Sequence, residues 1–91
     1  MGVASTVIVE FYGIPRLRAQ KTELTLSPGT VGETLAAVER ACPGLGGLVQ
    51  QSGRLAPQYL ISLNGQEFGP EFSRRLKPGD RLLLLSADAG G

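Results

Sequence analysis

A single change in hydrophobic period, between residues 30 and 42, most constrains what this chain can fold into. Apolar residues on either side alternate or run continuously, as in β-strands, whereas those inside the segment recur every three or four residues. Thr30 and Glu33 have the spacing of a capping box, and Pro43-Gly44 ends the periodic run. We therefore predict a helix over Val31–Ala41 with one apolar stripe that a sheet must cover. The stripe consists of Val31, Leu35, Val38 and Cys42.

Five segments outside the helix have the composition and alternation of β-strands. The first, Val7–Tyr12, is rich in β-branched and aromatic residues, and alternation puts its odd-numbered residues on one face and its even-numbered residues on the other. In the second, Lys21–Leu26, we expect Leu24 and Leu26 to point inward. The remaining three predicted strands are Tyr59–Leu63, Gln66–Phe68 and Arg81–Leu85.

Turn residues separate these segments. Asn64-Gly65 is the pair favoured in a type I′ hairpin turn, and Lys77–Asp80 also predicts a turn. Because Pro15 cannot donate to a strand ladder, we predict a connecting loop after the first strand. The predicted connections are Gly13–Ala19, the irregular stretch Pro43–Gln58, and the crossing loop Gly69–Lys77.

The order strand, strand, helix, strand, short strand, strand predicts an α+β domain. We expect a mixed sheet of four to five strands, with the single helix packed on one face. The first strand is expected to be central, with the last strand parallel beside it across the helical connection. This is the β-grasp, or ubiquitin-like, architecture, from which the strand order is taken. It predicts a β-grasp domain over residues 1–85 and a flexible C-terminal tail over residues 86–91.

Composition excludes several function classes. The chain of 91 residues has a net charge of +1, one cysteine and no histidine. We therefore expect no metal site, no disulfide, no nucleic-acid binding and no catalytic pair that needs histidine. The longest apolar run, Leu82–Leu85, is far shorter than the ~20 residues of a membrane span. With no signal peptide recognisable at the N-terminus, the expected location is cytoplasmic.

The sequence feature that points to chemistry is the final pair, Gly90-Gly91. A terminal carboxylate, with a pKa of roughly 3.5, is ionised at pH 7 and becomes an electrophile only when activated, for example as an acyl-adenylate. Gly91 has no Cβ to obstruct a phosphate or a sulfur nucleophile, and Gly90 can thread a narrow channel in dihedral regions closed to other residues.

The sequence resembles the MoaD/ThiS family, the molybdopterin-synthase small subunits and thiamine sulfur-carrier proteins related to ubiquitin. The resemblance extends from Val7 to Gly91. Its specific parts are Leu63-Asn64-Gly65, Leu76–Asp80 and Gly90-Gly91, with a weaker match at Pro15–Ala19.

The resemblance implies a carrier protein rather than an enzyme. An ATP-dependent adenylyltransferase of the ubiquitin-activating type (MoeB/ThiF-like) would adenylate the Gly91 carboxylate. A sulfur donor would then convert it to a thiocarboxylate, which a second enzyme, such as a molybdopterin synthase large subunit, would consume. No cofactor would be bound to the chain itself, since ATP is used by the activating partner.

The pathway that uses the sulfur is less constrained. The length of the chain and the connection Pro43–Gln58 favour molybdopterin (molybdenum cofactor) biosynthesis, whereas Ser86-Ala87 stands where molybdopterin-type members often have prolines. Thiamine synthesis, tRNA thiolation and cysteine synthesis are alternatives. A ubiquitin-like modifier joined to lysines, or a β-grasp binding module that never uses its C-terminus, are alternatives of another class.

A partner surface is expected on the sheet face away from the helix. If the odd-numbered residues of the first strand face the helix, Ile8 and Tyr12 lie on the open face. With Leu82 and Leu84 assigned to the core, Leu83 and Leu85 join them there; alternatively, all four leucines fill the core on both faces. Ile8, Tyr12, Leu83, Leu85 and the tail residue Ala89 are the predicted partner-binding residues. The arginines at 16 and 18 predict a solvated surface or an acidic partner.

Overall fold

Five strands and two α-helices make up residues 5–87, the part of the chain that the computed structural model describes. A short 3₁₀ turn, Pro43–Leu45, follows the second helix. The elements are β1 Val7–Phe11, α1 Ile14–Ala19, β2 Glu23–Leu26, α2 Val31–Ala41, β3 Tyr59–Leu63, β4 Glu67–Phe68 and β5 Arg81–Ser86.

The strands form one mixed sheet in the order β2-β1-β5-β3-β4. β1 pairs antiparallel with β2 and parallel with β5, while β5 pairs antiparallel with β3, and β3 with β4. The predicted mixed sheet and the parallel pairing of the first and last strands are confirmed. The expectation that the first strand is central is only partly right, because β1 lies inside the sheet but β5 occupies its middle.

Helix α2 covers one face of this sheet, with the predicted bounds Val31–Ala41. Its capping box is formed: the Thr30 N–H donates to Glu33 Oε1 (2.9 Å), and the Glu33 N–H donates to Thr30 Oγ1 (3.1 Å). These two bonds satisfy backbone donors that a helix start leaves without intrahelical partners. The four residues of the predicted stripe are all buried.

The core lies between α2 and the sheet. Val7, Val9 and Phe11 from β1 are buried there, as are Leu82 and Leu84 from β5. Leu24 and Leu26 are partly buried and pack against this core from the edge strand β2. The irregular connection after α2 also contributes three buried residues, Leu45, Leu48 and Ala56.

The prediction of a loop over Gly13–Ala19 is wrong, because Ile14–Ala19 forms α1. Pro15 lies in the first turn of that helix, where its missing N–H has no intrahelical partner to lose. Gly13 supplies the entry with φ +62°, and Gln20 ends the helix in the left-handed region. Pro15 and Ala19, one turn apart, are the buried residues of α1.

The last strand is one residue longer than predicted. β5 ends at Ser86, which pairs with Tyr59, and the Ala87 N–H donates to the Gln58 carbonyl oxygen (2.8 Å). Ser86, assigned above to the tail, therefore belongs to the sheet. Of the predicted tail, Ala87 is thus described as well, and residues 88–91 lie outside the described residues. Within residues 5–87, no helix is long and apolar enough to cross a membrane.

The 3₁₀ turn holds α1 in place through a close backbone approach at Gly44. A Cβ built there would lie 2.2 Å from the carbonyl oxygen of Arg18, an atom of the α1 backbone. We predict that Gly44→Ala lowers the free energy of unfolding by about 1–3 kcal/mol, since the two backbones must separate. Urea unfolding measures this.

Gly46→Ala is the matched control, because its Cβ would come no nearer than 3.4 Å to another atom and Gly46 has φ −56°. Its stability should stay within about 0.5 kcal/mol of the parent. Equal losses in both variants would contradict the contact between Gly44 and α1.

Candidate partner-binding face

The sheet face opposite α2 exposes a group of apolar side chains that we call the open-face patch. Because paired residues of neighbouring strands project to the same face, the strand registers identify its members. Glu10 pairs with Leu83, Leu83 with Ser62, and Ser62 with Phe68. The apolar residues of the patch are Ile8, Tyr12, Leu60, Phe68, Leu83 and Leu85.

The patch is continuous at the end of the sheet where β1 and β5 both finish. The Tyr12 N–H donates to the Leu84 carbonyl oxygen (3.0 Å), which extends the parallel register and sets Tyr12 beside Leu85. Leu85 pairs on its other side with Leu60. Tyr12 is 44% exposed and Leu60 43% exposed. An apolar row of this exposure, at the place where the chain leaves the sheet, is typical of a protein contact surface.

Glu10 introduces one acidic group into the patch, and two neighbours compensate its charge. The Arg81 guanidinium forms an ion pair with Glu10, and the Tyr12 hydroxyl donates to Glu10 Oε1 (3.0 Å). The hydrogen bond to Glu10, and then the negative charge of that carboxylate, raise the pKa of Tyr12 above its ordinary value, while Arg81 acts in the opposite direction. Arg81 thus balances the charge of Glu10 within the patch, while Glu23 of the edge strand β2, which pairs with Glu10 in the sheet, adds an exposed carboxylate to the same face.

Ser62 lies on β3, between Leu83 of β5 and Phe68 of β4. Its side chain is buried, and its hydroxyl is the only buried side-chain oxygen or nitrogen in residues 5–87 without a hydrogen-bond partner. A small residue at this position lets the larger neighbours close over it, so the patch is apolar across β3 as well as β5.

The structure places four of the predicted partner-binding residues on the open face. Tyr12 is exposed, and Ile8, Leu83 and Leu85 are half-buried. Leu82 and Leu84 are fully buried on the other face, so the four leucines of β5 do not all fill the core. That these residues bind a partner stays a prediction.

The remaining predicted site residues are Ala89, which we assigned to the partner contact, and Gly90 and Gly91, which we assigned to the chemistry. All three lie outside the described residues.

Sequence reasoning missed Leu60 and Phe68 as members of the patch. Phe68 is 66% exposed on the edge strand β4. Alternation along β3 would have found Leu60, because Tyr59 and Ile61 face the core. The Asn64-Gly65 turn alone would not have found Phe68: a two-residue hairpin would pair Phe68 with the core residue Ile61, whereas the observed register pairs it with Ser62 and leaves three residues, 64–66, in the connection.

The described residues hold neither a metal-binding cluster nor an exposed cysteine. No group of three or more Cys, Asp or Glu side chains in residues 5–87 could hold a metal ion. Cys42 is 2% exposed at the end of α2, among core residues.

Solved structures of other proteins share this fold, and three of them are described here by their similarity. Small archaeal modifier protein 1 (SAMP1) from Haloferax volcanii matches with a TM-score of 0.80 and 22% identity over 94% of this chain and 99% of that chain. The protein of the same name from Methanosarcina acetivorans matches with a TM-score of 0.78 and 23% identity over 99% and 100%. A putative molybdopterin converting factor, subunit 1, from Pyrococcus furiosus matches with 0.72 and 15% over 91% and 98%.

These likenesses establish the fold. The chain is a ubiquitin-like β-grasp domain, with the MoaD/ThiS-like architecture that the sequence resemblance implied. No family model matches the sequence, and no curated protein matches it significantly.

The hydrogen bond between Tyr12 and Glu10 can be tested by titration. A carboxylate that accepts from the phenol stabilises the neutral phenol and opposes the phenolate, so Glu10→Gln should lower the pKa of Tyr12. NMR titration of the tyrosine ring carbons resolves Tyr12 from Tyr59, the other tyrosine of the chain. An unchanged or higher Tyr12 pKa in Glu10→Gln would contradict the contact.

Proposed function

We propose that this protein is a sulfur carrier whose Gly91 carboxylate is adenylated and then converted to a thiocarboxylate. The observation that supports the proposal most combines the fold with the sequence. The middle strand of a β-grasp sheet, β5, is followed after three residues by the pair Gly90-Gly91. In this role the chain is the substrate of other enzymes and catalyses no step itself.

The geometry at the end of β5 supports delivery of the terminus to a partner. The Ala87 N–H is held by Gln58, so residues 88–91 lie beyond the last described backbone hydrogen bond. Four residues can span at most roughly 14 Å when extended. A partner that acts on Gly91 must therefore bring its active site close to the row of Tyr12, Leu85 and Leu60.

The chemistry requires two partners. In an adenylyltransferase of the ubiquitin-activating type, a carboxylate oxygen of Gly91 attacks the α-phosphate of ATP, and pyrophosphate leaves. A sulfur nucleophile then displaces AMP from the acyl carbon. In a sulfur-accepting enzyme, the thiocarboxylate sulfur bonds to an electrophilic carbon of the acceptor. Water then cleaves the bond between the acyl carbon and that sulfur, which leaves the sulfur on the acceptor and restores the carboxylate. The open-face patch is the surface that we assign to both contacts, because each partner must approach the same end of the sheet.

For the pathway, we propose molybdopterin biosynthesis. The support is the chain length, the long connection after α2, and the shared fold with a protein described as a putative molybdopterin converting factor subunit. Thiamine synthesis, tRNA thiolation and cysteine synthesis would use the same loaded terminus with a different acceptor.

Protein modification is the second candidate function. Two of the three structures described above are small archaeal modifier proteins. A modifier would share the adenylation step but would end in an isopeptide bond between Gly91 and a lysine, rather than in a free thiocarboxylate.

Mass spectrometry tests the carrier proposal. After incubation with ATP, a sulfur donor and the adenylyltransferase of the same host, we expect the tryptic peptide Leu82–Gly91 to gain the mass difference between sulfur and oxygen. Cleavage after Arg81 separates this peptide from Met1 and Cys42, whose oxidation would add nearly the same mass. The unmodified peptide also establishes that Gly91 bears the terminal carboxylate.

The controls are a variant that lacks Gly91 and the variant Gly46→Ala, which alters the other Gly-Gly pair of the sequence. The first should stay unmodified and the second should be modified like the parent. Lysine-linked adducts would favour the modifier. An unchanged peptide, with an enzyme that is active on another carrier, would favour the binding module.

A second prediction concerns the open-face patch. Leu85→Lys should weaken binding to the adenylyltransferase by about tenfold or more, because a central apolar contact of an interface is replaced by a charge. Isothermal titration calorimetry measures this. Thr25→Lys is the matched control, since Thr25 is exposed on the same face but on the edge strand β2. Equal affinities of the two variants would place the interface elsewhere.

A further inference from the structure

Helix α1 carries the most exposed large apolar side chain of the described residues. Leu17 is 76% exposed and Ile14 is 47% exposed, one helical turn apart on the outer side of α1. The inner side of the same helix is packed, since Pro15 and Ala19 are buried. Ile14 and Leu17 are therefore exposed on a helix whose other side is packed against the domain.

The same segment has an unbalanced charge. Between Phe11 and Thr22 the sequence has three cations, at positions 16, 18 and 21, and no acidic residue, whereas the whole chain has a net charge of +1. The remaining residues are therefore net negative. The ion pairs of the described residues join Arg74 to Glu67 and Arg81 to Glu10, so neither Arg16 nor Arg18 has an acidic partner there.

α1 also adjoins the open-face patch. Tyr12 belongs to the patch, Gly13 follows it, and Ile14 begins the helix. The helix contacts β5, the strand that leads to the C-terminal residues. Ile14 lies two residues beyond Tyr12, so a partner that covers Tyr12 would reach the start of α1.

We propose that the outer face of α1 is a second contact element of this protein, and that it docks on an acidic-rimmed apolar surface of the adenylyltransferase. This inference rests on the proposed function and names which part of the chain orients it on that enzyme. Leu17 and Ile14 supply apolar area, while Arg16 and Arg18 select acidic groups at its rim. A helix of six residues is too short to embed in a bilayer, and a segment with three cations beside apolar side chains fits a protein surface better than a phosphate backbone.

The test measures binding of the full chain to the adenylyltransferase at low and high salt. Arg16→Gln combined with Arg18→Gln should raise the Kd roughly tenfold at low salt and flatten its salt dependence, because exposed charges attract strongly only when weakly screened. The matched control combines Arg54→Gln with Arg75→Gln. It removes the same charge from two other exposed arginines and should change the Kd by less than about twofold.

Leu17→Ser separates the apolar contribution from the charge. It should raise the Kd several-fold while keeping the salt dependence of the parent, because it leaves both arginines in place. Thiocarboxylate formation on Leu82–Gly91 is measured in parallel, and each variant should show a raised KM for the carrier with an unchanged kcat. Urea unfolding verifies that the variants are folded.

Each outcome has a distinct meaning. If the parent is bound and modified but the α1 variants match the Arg54/Arg75 control, the role of α1 is overturned and the carrier function stands. If the parent is neither bound nor modified by an enzyme active on another carrier, both proposals fail. Binding to phosphatidylserine vesicles or an RNA oligonucleotide that depends on Arg16 and Arg18, with no effect on the enzyme, would also overturn the α1 proposal.

Discussion

Parallel pairing between β1 and β5 requires the chain to return to the end of the sheet at which β1 began, and the connection between β4 and β5, residues 69–80, makes that return. This pairing puts the last strand in the middle of the sheet, between β1 and β3. It also fixes which leucines of β5 face α2, because Leu82 pairs with Val9 and Leu84 with Phe11. A shift of one residue would exchange the core and the open face along the whole strand.

The same pairing explains why the end of the chain and the contact surfaces lie together. Parallel strands finish at the same edge of a sheet, so the exit of β5 falls beside Tyr12 and the start of α1. The strand that leads to the terminus has, like β1 and β3, a partner on each side and a buried apolar face. In the proposed function, a C-terminus that enters the active site of another enzyme would therefore be connected to a strand that stays in the sheet.

Sequence reasoning succeeded where several local signals agreed and failed where tertiary contacts decided. Helix α2 has a capping box, an apolar stripe and a Pro-Gly stop, which together define its bounds. Helix α1 has only six residues, too few for a periodic pattern, and Pro15 suggested a break although a helix accepts proline in its first turn. Its place depends on the approach of Gly44 to Arg18, which no local pattern reveals. Phe68 was missed because its face follows from the register of the hairpin between β3 and β4, whereas alternation along β3 was sufficient to place Leu60.

The open-face patch and α1 differ in charge, so we expect them to contribute differently to binding in the proposed complex. On the open face, Arg81 forms an ion pair with Glu10 and the Tyr12 hydroxyl donates to it, so burial of that carboxylate would not leave it without a partner. On α1, Arg16 and Arg18 form no ion pair with the described residues. Their positive charges would therefore attract an acidic surface of a partner. The open-face patch would then contribute most of the affinity, and the basic helix α1 would set the orientation of the complex. Both elements meet where β5 ends, so a misoriented complex would cover the patch yet leave the terminus away from the nucleotide.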